Sequence, residues 1–313
     1  MEKFFAVLTV LLFVATFFCK ISFANAEKNV SQQFEEDVNS LVNVSEKYFD
    51  SLPQTKDKYK SSRQPLLISG ATDLEIEKLV RSLENPTVYK YLNYFYVAGT
   101  YKDYPVIVSR TEMGMTNAAA STALAIENFN PVAVVNQGTA GAYIPTLKVC
   151  DIVIAEKTFP NSAFIANFQP LGEGTDFEKH EFYGVHSYDK TLEKFTATKY
   201  FYSDSTMLKI AESVKLKDKN INVVKGVIAS SDIWNNELDQ IKFLNENFGS
   251  VCEDMETQSV AQVCRNADVP FIGIRVISNN ITSGESFLPS AVEVGQNFVL
   301  KFVEKYISDV LEK

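Results

Sequence analysis

The sequence predicts an α/β sandwich whose central sheet is mainly parallel and is covered by helices on both faces. Short apolar runs alternate with helical patterns from Pro65 onward. The runs are almost continuously hydrophobic, which is typical of strands that are buried on both sides. The 313 residues are 46% hydrophobic and 22% charged, as in an ordinary globular protein, and they show no repeat of fixed period. We therefore expect one α/β domain of about 250 residues.

The elements follow one another in a regular order. The apolar runs predict strands at Leu66–Ile68, Tyr94–Gly99, Pro105–Ser109, Val132–Val135, Ile152–Ala155, Val223–Ala229 and Phe271–Ile277. Helical spacing of apolar residues predicts helices at Asp73–Leu83, Asn117–Phe129, Met207–Leu216, Asn236–Asn247, Thr257–Ala267 and Val292–Leu311. The stretch from Phe159 to about Ser203 shows neither pattern, and we expect it to be irregular.

The first 26 residues have the layout of a secretory signal peptide. Lys3 precedes fifteen uncharged and mostly apolar residues, Phe4–Phe18, and Ala24-Asn25-Ala26 supplies the small residues that a signal peptidase reads. The apolar run is shorter than the roughly 20 residues that span a bilayer, so a single anchoring helix is the weaker alternative. We expect a secreted or periplasmic protein without membrane attachment after cleavage.

Residues 27–64 are predicted to be an N-terminal extension rather than part of the core. Five apolar residues recur there at helical spacings: Phe34, Val38, Leu41, Val42 and Phe49. A linker rich in Lys and Ser, Lys56–Arg63, follows this predicted helix. The expected organisation is therefore a signal peptide at 1–26, a helical extension and linker at 27–64, and one domain at 65–313.

Charge and cysteine content argue against two classes of site. With 30 Lys and Arg against 39 Asp and Glu, the formal net charge is −9, and because there is no long basic stripe we expect no nucleic-acid partner. Cys150, Cys252 and Cys264 remain after signal cleavage, widely spaced and without a Cys/His cluster. We therefore expect no metal and no other cofactor. Three buried thiols are favoured, and one disulfide with one free thiol is the alternative.

Polar residues directly follow four of the predicted strands, at the edge where open α/β sheets bind ligands. These segments are Ser69–Glu75, Asn136–Gly141, Ser230–Trp234 and Ser278–Asn280. A fifth segment, Glu253–Glu256, places three carboxylates just before a predicted helix. Five such segments together predict a functional site at this edge of the sheet.

Each segment taken alone also has a structural explanation. The glycines of Gly138–Gly141 suit a tight turn, which is the favoured interpretation of that segment by itself. Carboxylates near helix starts, such as Glu75, Asp254 and Glu256, would complement the helix dipole by about 0.3–1 kcal/mol each. Trp234 is the only tryptophan, and by frequency a tryptophan is more often a core residue than a ligand platform.

The order of the motifs resembles the nucleoside phosphorylase superfamily, and within it the 5′-methylthioadenosine/S-adenosylhomocysteine nucleosidases. The similarity extends from about Pro65 to Ile307. It is carried by Ser69–Glu75, Gly114–Ala119, Val135–Gly141, Leu147–Val153, Ser230–Trp234, Glu253–Glu256 with Ala261–Cys264, and Val269–Ser278. The resemblance implies a three-layer α/β/α sandwich with a mixed, mainly parallel sheet. It also implies a small-molecule purine nucleoside as substrate and a homodimer.

The resemblance implies roles for the acidic and aromatic candidates. Glu75 falls where the nucleosidases keep the carboxylate that orients and deprotonates the attacking water. Glu256 falls where a carboxylate binds the ribose hydroxyls and stabilises the developing oxocarbenium ion. Met255 would pack under the ribose, and Trp234 takes the place of an aromatic residue that stacks on the purine.

The resemblance also assigns the smaller residues of the site. Thr139, with the backbone of Gly138 and Gly141, would face the sugar and the nucleophile. Asp254 is included among the expected substrate-binding residues, because it lies in the most specific motif of the set, Asp254-Met255-Glu256.

The first departure from the family pattern concerns phosphate. The phosphorylases bind phosphate through arginines, one of them just before the glycine segment, where this sequence has Asn136. The loop Ser69–Glu75 contains no Arg or Lys either. Because a phosphate dianion without cationic donors is poorly held, hydrolysis is favoured over phosphorolysis.

The second departure is Asn279, at the position where adenine-specific nucleosidases carry the aspartate that protonates N7 of the leaving base. An amide donates a hydrogen bond but cannot act as a general acid, a loss that typically costs about 10²–10⁴ in rate. Some relatives that act on 6-oxopurines use Asn here, so an inosine- or guanosine-like substrate is one interpretation. A slow or silent relative is the other, and Asp232 or Asn280 could compensate.

The sequence thus favours an exported purine nucleosidase that acts on a thionucleoside or a 6-oxopurine nucleoside. A phosphate-dependent phosphorylase and a non-catalytic protein resembling plant storage proteins are the alternatives. Asn280-Ile281-Thr282 matches the glycosylation pattern, and a glycan on Asn280 would block the expected site. We therefore expect this sequon to be unused, or the host not to glycosylate it.

Overall fold

The computed structural model describes residues 46–189 and 191–312, which belong to the unit Val44–Lys313. The predicted signal peptide and most of the predicted N-terminal helix lie outside the described residues. The helices are α1 (Glu46–Ser51), α2 (Asp73–Arg81), α3 (Met115–Phe129), α4 (Ser205–Ser213), α5 (Leu238–Phe248), α6 (Thr257–Asn266) and α7 (Ala291–Tyr306). A π-helical turn, Ile307–Leu311, follows α7, and a 3₁₀ turn lies at Phe177–Lys179.

The strands differ from the predicted ones mainly in number and length. They are β1 (Leu66–Gly70), β2 (Glu84–Tyr91), β3 (Tyr94–Tyr101), β4 (Tyr104–Arg110), β5 (Ala133–Ala142), β6 (Ile152–Pro160), β7 (Phe164–Ile165), β8 (Glu181–Phe182), β9 (Val185–Asp189), β10 (Lys194–Thr198), β11 (Phe201–Tyr202), β12 (Val223–Ser230), β13 (Ser250–Asp254) and β14 (Phe271–Asn279). Strands β2 and β13 were not predicted. The stretch expected to be irregular contains the short strands β7 to β11.

The main sheet has the order β11-β6-β12-β13-β5-β1-β4-β3-β2, and β14 pairs with both β5 and β6. Parallel pairing joins β4, β1, β5 and β14, and joins β6, β12 and β13. Antiparallel pairing comes from the β2–β3–β4 hairpins and from the contacts of β13 with β5, β14 with β6 and β11 with β6. The predicted α/β sandwich is therefore confirmed, with a mixed sheet.

Alternating residues of the strands divide the core between the two faces of the sheet. Leu66 and Ile68 pack on the side of helices α2, α4 and α7, whereas Leu67 packs on the side of α3 and α6. This is the two-residue period of a strand that is buried on both faces. The helices therefore form two layers around the sheet, and the carboxyl ends of its parallel strands are left for loops and polar side chains.

The described part of the N-terminal extension packs against the core of the main domain. Phe49 of α1 is buried and contacts the ring of Phe95 edge-on, with the ring centroids 5.4 Å apart. Farther along, Tyr59 contacts Phe129 at 5.2 Å. These aromatic rings bury apolar surface that the main domain would otherwise expose, and this burial explains why the segment is held there.

The three cysteines of the described residues are free thiols, so the favoured arrangement is confirmed with one exception. Cys252 and Cys264 are buried, but Cys150 is only half-buried. Burial raises the pKa of the Cys252 and Cys264 thiols. None of the helices within 46–312 that the structure describes is both long and apolar enough to cross a membrane.

Candidate functional site

The Glu75 carboxylate lies at the carboxyl end of β1, where the chain turns into helix α2. Thr72 caps the helix and forms a capping box with Glu75, a sequence-local reason for the helix to begin here. One carboxylate oxygen of Glu75 accepts a hydrogen bond from the Ala71 N–H at 2.8 Å. The other accepts from the N–H and the hydroxyl of Thr139, at 2.8 and 3.1 Å. A buried carboxylate thus joins the β1 turn to strand β5.

The segment Gly138–Gly141 is not a tight turn, because β5 continues through it as far as Ala142. Its pairing with β14 provides the reason, since Gly138 lies opposite Arg275 in the parallel register. A Cβ atom at Gly138 would lie only 2.9 Å from a carboxylate oxygen of Glu75. Glycine is therefore needed here for the close approach of Glu75 to the strand.

Glu256 lies between strand β13 and helix α6, and its carboxylate points toward the start of α3. One oxygen accepts a hydrogen bond from the Gly114 N–H at 3.0 Å. Burial raises the pKa of Glu256. The negative charges of Asp254 and Glu75 raise it further, whereas Arg275 opposes this shift. Glu75 therefore lies close enough to Glu256 to raise its pKa.

Asp254 does not line the site with Glu256, although the two were predicted to bind substrate together. Its side chain is fully buried, and the Arg275 Nε donates to it at 2.5 Å. The hydroxyls of Ser230 and Thr257 donate to the same carboxylate. Because its carboxylate oxygens already accept these hydrogen bonds, Asp254 is a buried support for the neighbouring site residues. The prediction that it contacts substrate is corrected.

Arg275 connects this buried ion pair to the strand that carries the glycine segment. Its Nη2 donates to the side-chain oxygen of Asn136 at 2.5 Å and lies 3.8 Å from Glu256. Burial would lower the pKa of Arg275, but the carboxylates around it reverse the effect, so its pKa is raised. Asn136 therefore serves as an acceptor for an arginine that lies on β14.

Trp234 and Met255 are both half-buried at the same edge of the sheet. The indole of Trp234 contacts the ring of Phe287 at 5.6 Å, with an interplanar angle of 62°. Phe287 belongs to the loop after β14, and the next residue, Leu288, bonds back to the carbonyl of Ser278 at 2.8 Å. The aromatic pair is therefore tied to the end of β14, next to Asn279.

The loop that carries Trp234 also reaches the start of helix α3. The exposed Asp232 accepts a hydrogen bond from the Met115 N–H at 2.7 Å. Gly114, the residue before Met115, has a φ of +97°, and a Cβ atom there would lie 2.9 Å from the Asp232 carboxylate. Glycine is thus required at this turn on two counts. The carboxylates of Asp232 and Glu256 together occupy the first two N–H groups at the start of α3.

Asn279 ends strand β14 and is half-buried beside Gly141, its register partner on β5. Its side-chain oxygen accepts a hydrogen bond from the Ser278 hydroxyl at 2.9 Å. Asn280 points elsewhere: it is fully buried, and its amide donates to the carbonyls of Ile144 and Leu147. Its oxygen accepts from Thr282, so the folded protein offers no free amide for a glycan at this sequon.

The structure brings most of the predicted residues to one edge of the sheet and reveals others. Direct contacts link Glu75 to Gly138 and Thr139, and pairing places Asn279 next to Gly141. No role was predicted for Arg275, Phe287 or Gly114. A charge inside the otherwise apolar run Phe271–Ile277 was the available signal for Arg275, because a charge in a buried strand requires a partner.

A family model and several relatives each match most of this chain. Residues 65–308 match the family model described as Phosphorylase superfamily. A 5′-methylthioadenosine/S-adenosylhomocysteine nucleosidase of Geobacillus sp. (strain WCH70) is 30% identical over 244 residues, covering 76% of this chain and 97% of the relative. The enzyme of the same name from Bacillus pumilus (strain SAFR-032) is 28% identical over 246 residues, covering 77% and 98%.

Solved structures of similar fold include nucleosidases and a hydrolase. The 5′-methylthioadenosine/S-adenosylhomocysteine nucleosidase of Neisseria meningitidis in complex with methylthio-immucillin-A superposes with a TM-score of 0.63 at 23% identity, covering 77% of this chain and 99% of the other. A futalosine hydrolase mutant of Helicobacter pylori strain 26695 has a TM-score of 0.63 at 22% identity, with the same coverage. These likenesses show a shared fold. With the family match over most of its length, the chain belongs to the phosphorylase superfamily and resembles its 5′-methylthioadenosine/S-adenosylhomocysteine nucleosidases.

Proposed function

We propose that this chain is a purine nucleosidase, in which water attacks the anomeric carbon and the N-glycosidic bond to the base breaks. The observation that carries the proposal is the buried Glu75 carboxylate, held by the β1 turn and Thr139 and close enough to Glu256 to raise its pKa. A carboxylate fixed in this way is suited to accept a proton from the attacking water. The nucleosidase relatives support the same reaction class.

The other residues are assigned roles that match their positions. Glu256 would bind the ribose hydroxyls, and its negative charge would stabilise the oxocarbenium ion that develops as the bond breaks. Thr139 holds Glu75 in place, and Met255 supplies an adaptable apolar surface for the sugar. Trp234, together with Phe287, would form the aromatic face for the purine.

Water rather than phosphate is the expected nucleophile, because the arginines at this edge of the sheet are already paired. Arg275 is bound to Asp254 and is fully buried. Arg110, at the end of β4, donates to both oxygens of Asp73 at 2.9 Å and to Glu112 at 2.9 Å. A phosphate dianion would have to displace one of these carboxylates to gain a cationic donor.

Purified protein incubated with nucleosides, in the presence and absence of phosphate, tests this assignment. We expect free base to be released from at least one of methylthioadenosine, adenosylhomocysteine, adenosine, inosine and guanosine, at the same rate without phosphate. Strict dependence on phosphate would instead identify a phosphorylase. Absence of release from all five would favour the non-catalytic alternative, and calorimetric titration with adenine and hypoxanthine would then show whether a purine still binds.

The substrate class that we propose follows from Asn279. An amide at the end of β14 can donate a hydrogen bond to N7 or to a 6-oxo group but cannot protonate an adenine leaving group. This favours a 6-oxopurine nucleoside. The Asn280 amide is bound to the carbonyls of Ile144 and Leu147, and the Asp232 carboxylate is bound to the start of helix α3, so we assign neither residue as a substitute acid.

Replacing Asn279 with aspartate should shift the preference toward adenine nucleosides. We expect the ratio of adenosine to inosine turnover, measured as kcat/KM, to rise at least about tenfold, because the new carboxyl group can protonate N7. A thermal unfolding curve of the variant, compared with that of the wild type, is the control for folding. An unchanged ratio would show that position 279 does not select the base.

We further propose that the protein is exported and that the exported form is a homodimer. The uncharged run Phe4–Phe18 and the small residues Ala24 and Ala26 support cleavage after residue 26. The resemblance supports the dimer. Mass spectrometry of protein recovered from outside the cytoplasm would give the mature N-terminus, and a first residue other than Glu27 would contradict the proposed cleavage. The molar mass of the protein in solution would give the number of subunits, and a monomer would contradict the proposed homodimer.

A further inference from the structure

A buried polar cluster, comprising Tyr143, Asn235 and Glu253, lies beside the residues assigned above and has no role among them. The Tyr143 hydroxyl donates a hydrogen bond to one oxygen of the Glu253 carboxyl group. The other oxygen accepts from the Asn235 N–H at 2.8 Å. All three residues are at most 7% exposed. Such buried groups are costly unless they are paired, so the cluster holds its members in one geometry.

The cluster fixes the backbone of the loop that carries Trp234. On one side of Trp234, Asp232 is bound to the first turn of α3 through Met115. On the other side, the Asn235 N–H is bound to Glu253 of β13. The side-chain oxygen of Asn235 also accepts from the Glu237 N–H at 2.9 Å, which leads the chain into helix α5. Trp234 therefore lies between two attachment points, each of which ends on a carboxyl group.

Tyr143 makes the attachment of Asn235 to Glu253 rigid. It follows strand β5, and its ring packs in the apolar cluster beneath helix α5, with Phe159 and Leu244. The hydroxyl is consequently presented to Glu253 from a ring that is fixed by core packing. Burial raises the pKa of Glu253 to about 8, and the Tyr143 hydrogen bond opposes that shift.

We propose that Tyr143 and Glu253 are positioning residues for Trp234, setting the plane of the indole on which the purine stacks. The proposal rests on the proposed function for the stacking itself, but the positioning of the indole is a property of the protein without substrate. Tyr143 directly follows β5, Glu253 lies in the neighbouring strand β13, and neither side chain needs to touch the substrate. They would act on affinity for the base rather than on the bond-breaking step.

Trp234 is the only tryptophan in the chain, so its fluorescence reports the proposed effect directly. In Tyr143→Phe we expect the emission maximum to move to longer wavelength and acrylamide to quench the indole more strongly. The KM for the nucleoside should rise about tenfold, because a buried hydrogen-bond partner is lost. The value of kcat should change less than about threefold.

Three further variants separate positioning from a general loss of stability. Tyr96→Phe removes another buried hydroxyl, which donates to the Ser121 carbonyl at 2.8 Å in a different part of the core, and it should leave the fluorescence and KM unchanged. Glu253→Gln keeps an oxygen that can accept from Asn235 and should behave nearly as wild type. Glu253→Leu should reproduce the Tyr143→Phe effects.

Unchanged emission, quenching and KM in both Tyr143→Phe and Glu253→Leu would overturn the proposal. Equal effects in Tyr96→Phe would overturn it as well, since they would indicate a stability effect. If either test variant does not fold, the other decides. The fluorescence is measured without substrate, so a shift in a protein that hydrolyses no nucleoside would retain the positioning role while removing the proposed function. If the wild type hydrolyses nucleosides but the variants show no shift in fluorescence, the proposed function stands and the positioning role is overturned.

Discussion

Glu75→Gln should lower kcat/KM for nucleoside hydrolysis by about 10²–10⁴-fold while the protein remains folded. The amide keeps the size of the side chain and an oxygen that can accept from Thr139, but it cannot take a proton from water. Glutamine is also accepted at this position of a capping box, so helix α2 should still begin at Asp73. Initial rates of base release from the best substrate, together with a thermal unfolding curve, check the result.

Two control variants isolate the carboxylate of Glu75 from its neighbours. Glu77→Gln changes a carboxylate two residues along the same helix that pairs with Arg81, and it should leave the rate unchanged. Thr72→Ala removes the cap hydroxyl but not the carboxylate, and it should cost about 1 kcal/mol of stability with activity largely retained. A Glu75→Gln enzyme with wild-type activity would exclude Glu75 as the base.

Much of the fold could be predicted because its strands are buried on both sides. Runs such as Leu66–Ile68 and Phe271–Ile277 are almost wholly apolar, and the structure confirms them as β1 and β14. Strand β2 was missed because it contains Asn85, Pro86 and Lys90 and lies at the edge of the sheet, where polar residues face solvent. Its register is set by the β2–β3 hairpin rather than by its own composition.

The location of the site followed from the rule that ligands bind at the carboxyl ends of parallel strands. By that rule Glu75, Thr139 and Asn279 were expected at one edge of the sheet, and they lie there in the structure. It could not show which carboxylates of Glu253–Glu256 face outward, because the bend at Met255 interrupts the alternation of a strand. Contacts from distant residues decide this: Arg275 draws Asp254 inward, and Gly114 binds Glu256.

Arg275→Met should destabilise the fold by about 3–5 kcal/mol, the range expected when one partner of a buried ion pair is removed. Both Arg275 and Asp254 have fully buried side chains, so Asp254 would be left without its cation in a place that water does not reach. Urea unfolding at neutral pH measures the loss. Arg110→Met is the matched control, since the Arg110–Asp73 pair is partly exposed and its loss should cost less.

The double variant Arg275→Met with Asp254→Asn distinguishes an unpaired charge from lost packing. If the unpaired charge dominates, the double variant should be more stable than Arg275→Met alone, because no carboxylate remains to be buried without a partner. The remaining donors, Ser230 and Thr257, can still bond to the asparagine oxygen. A double variant that is less stable than either single variant would show instead that the hydrogen-bonded shape of the pair holds β13 against β14. In that case the position of Glu256 depends on packing around Asp254 rather than on the charge of Arg275.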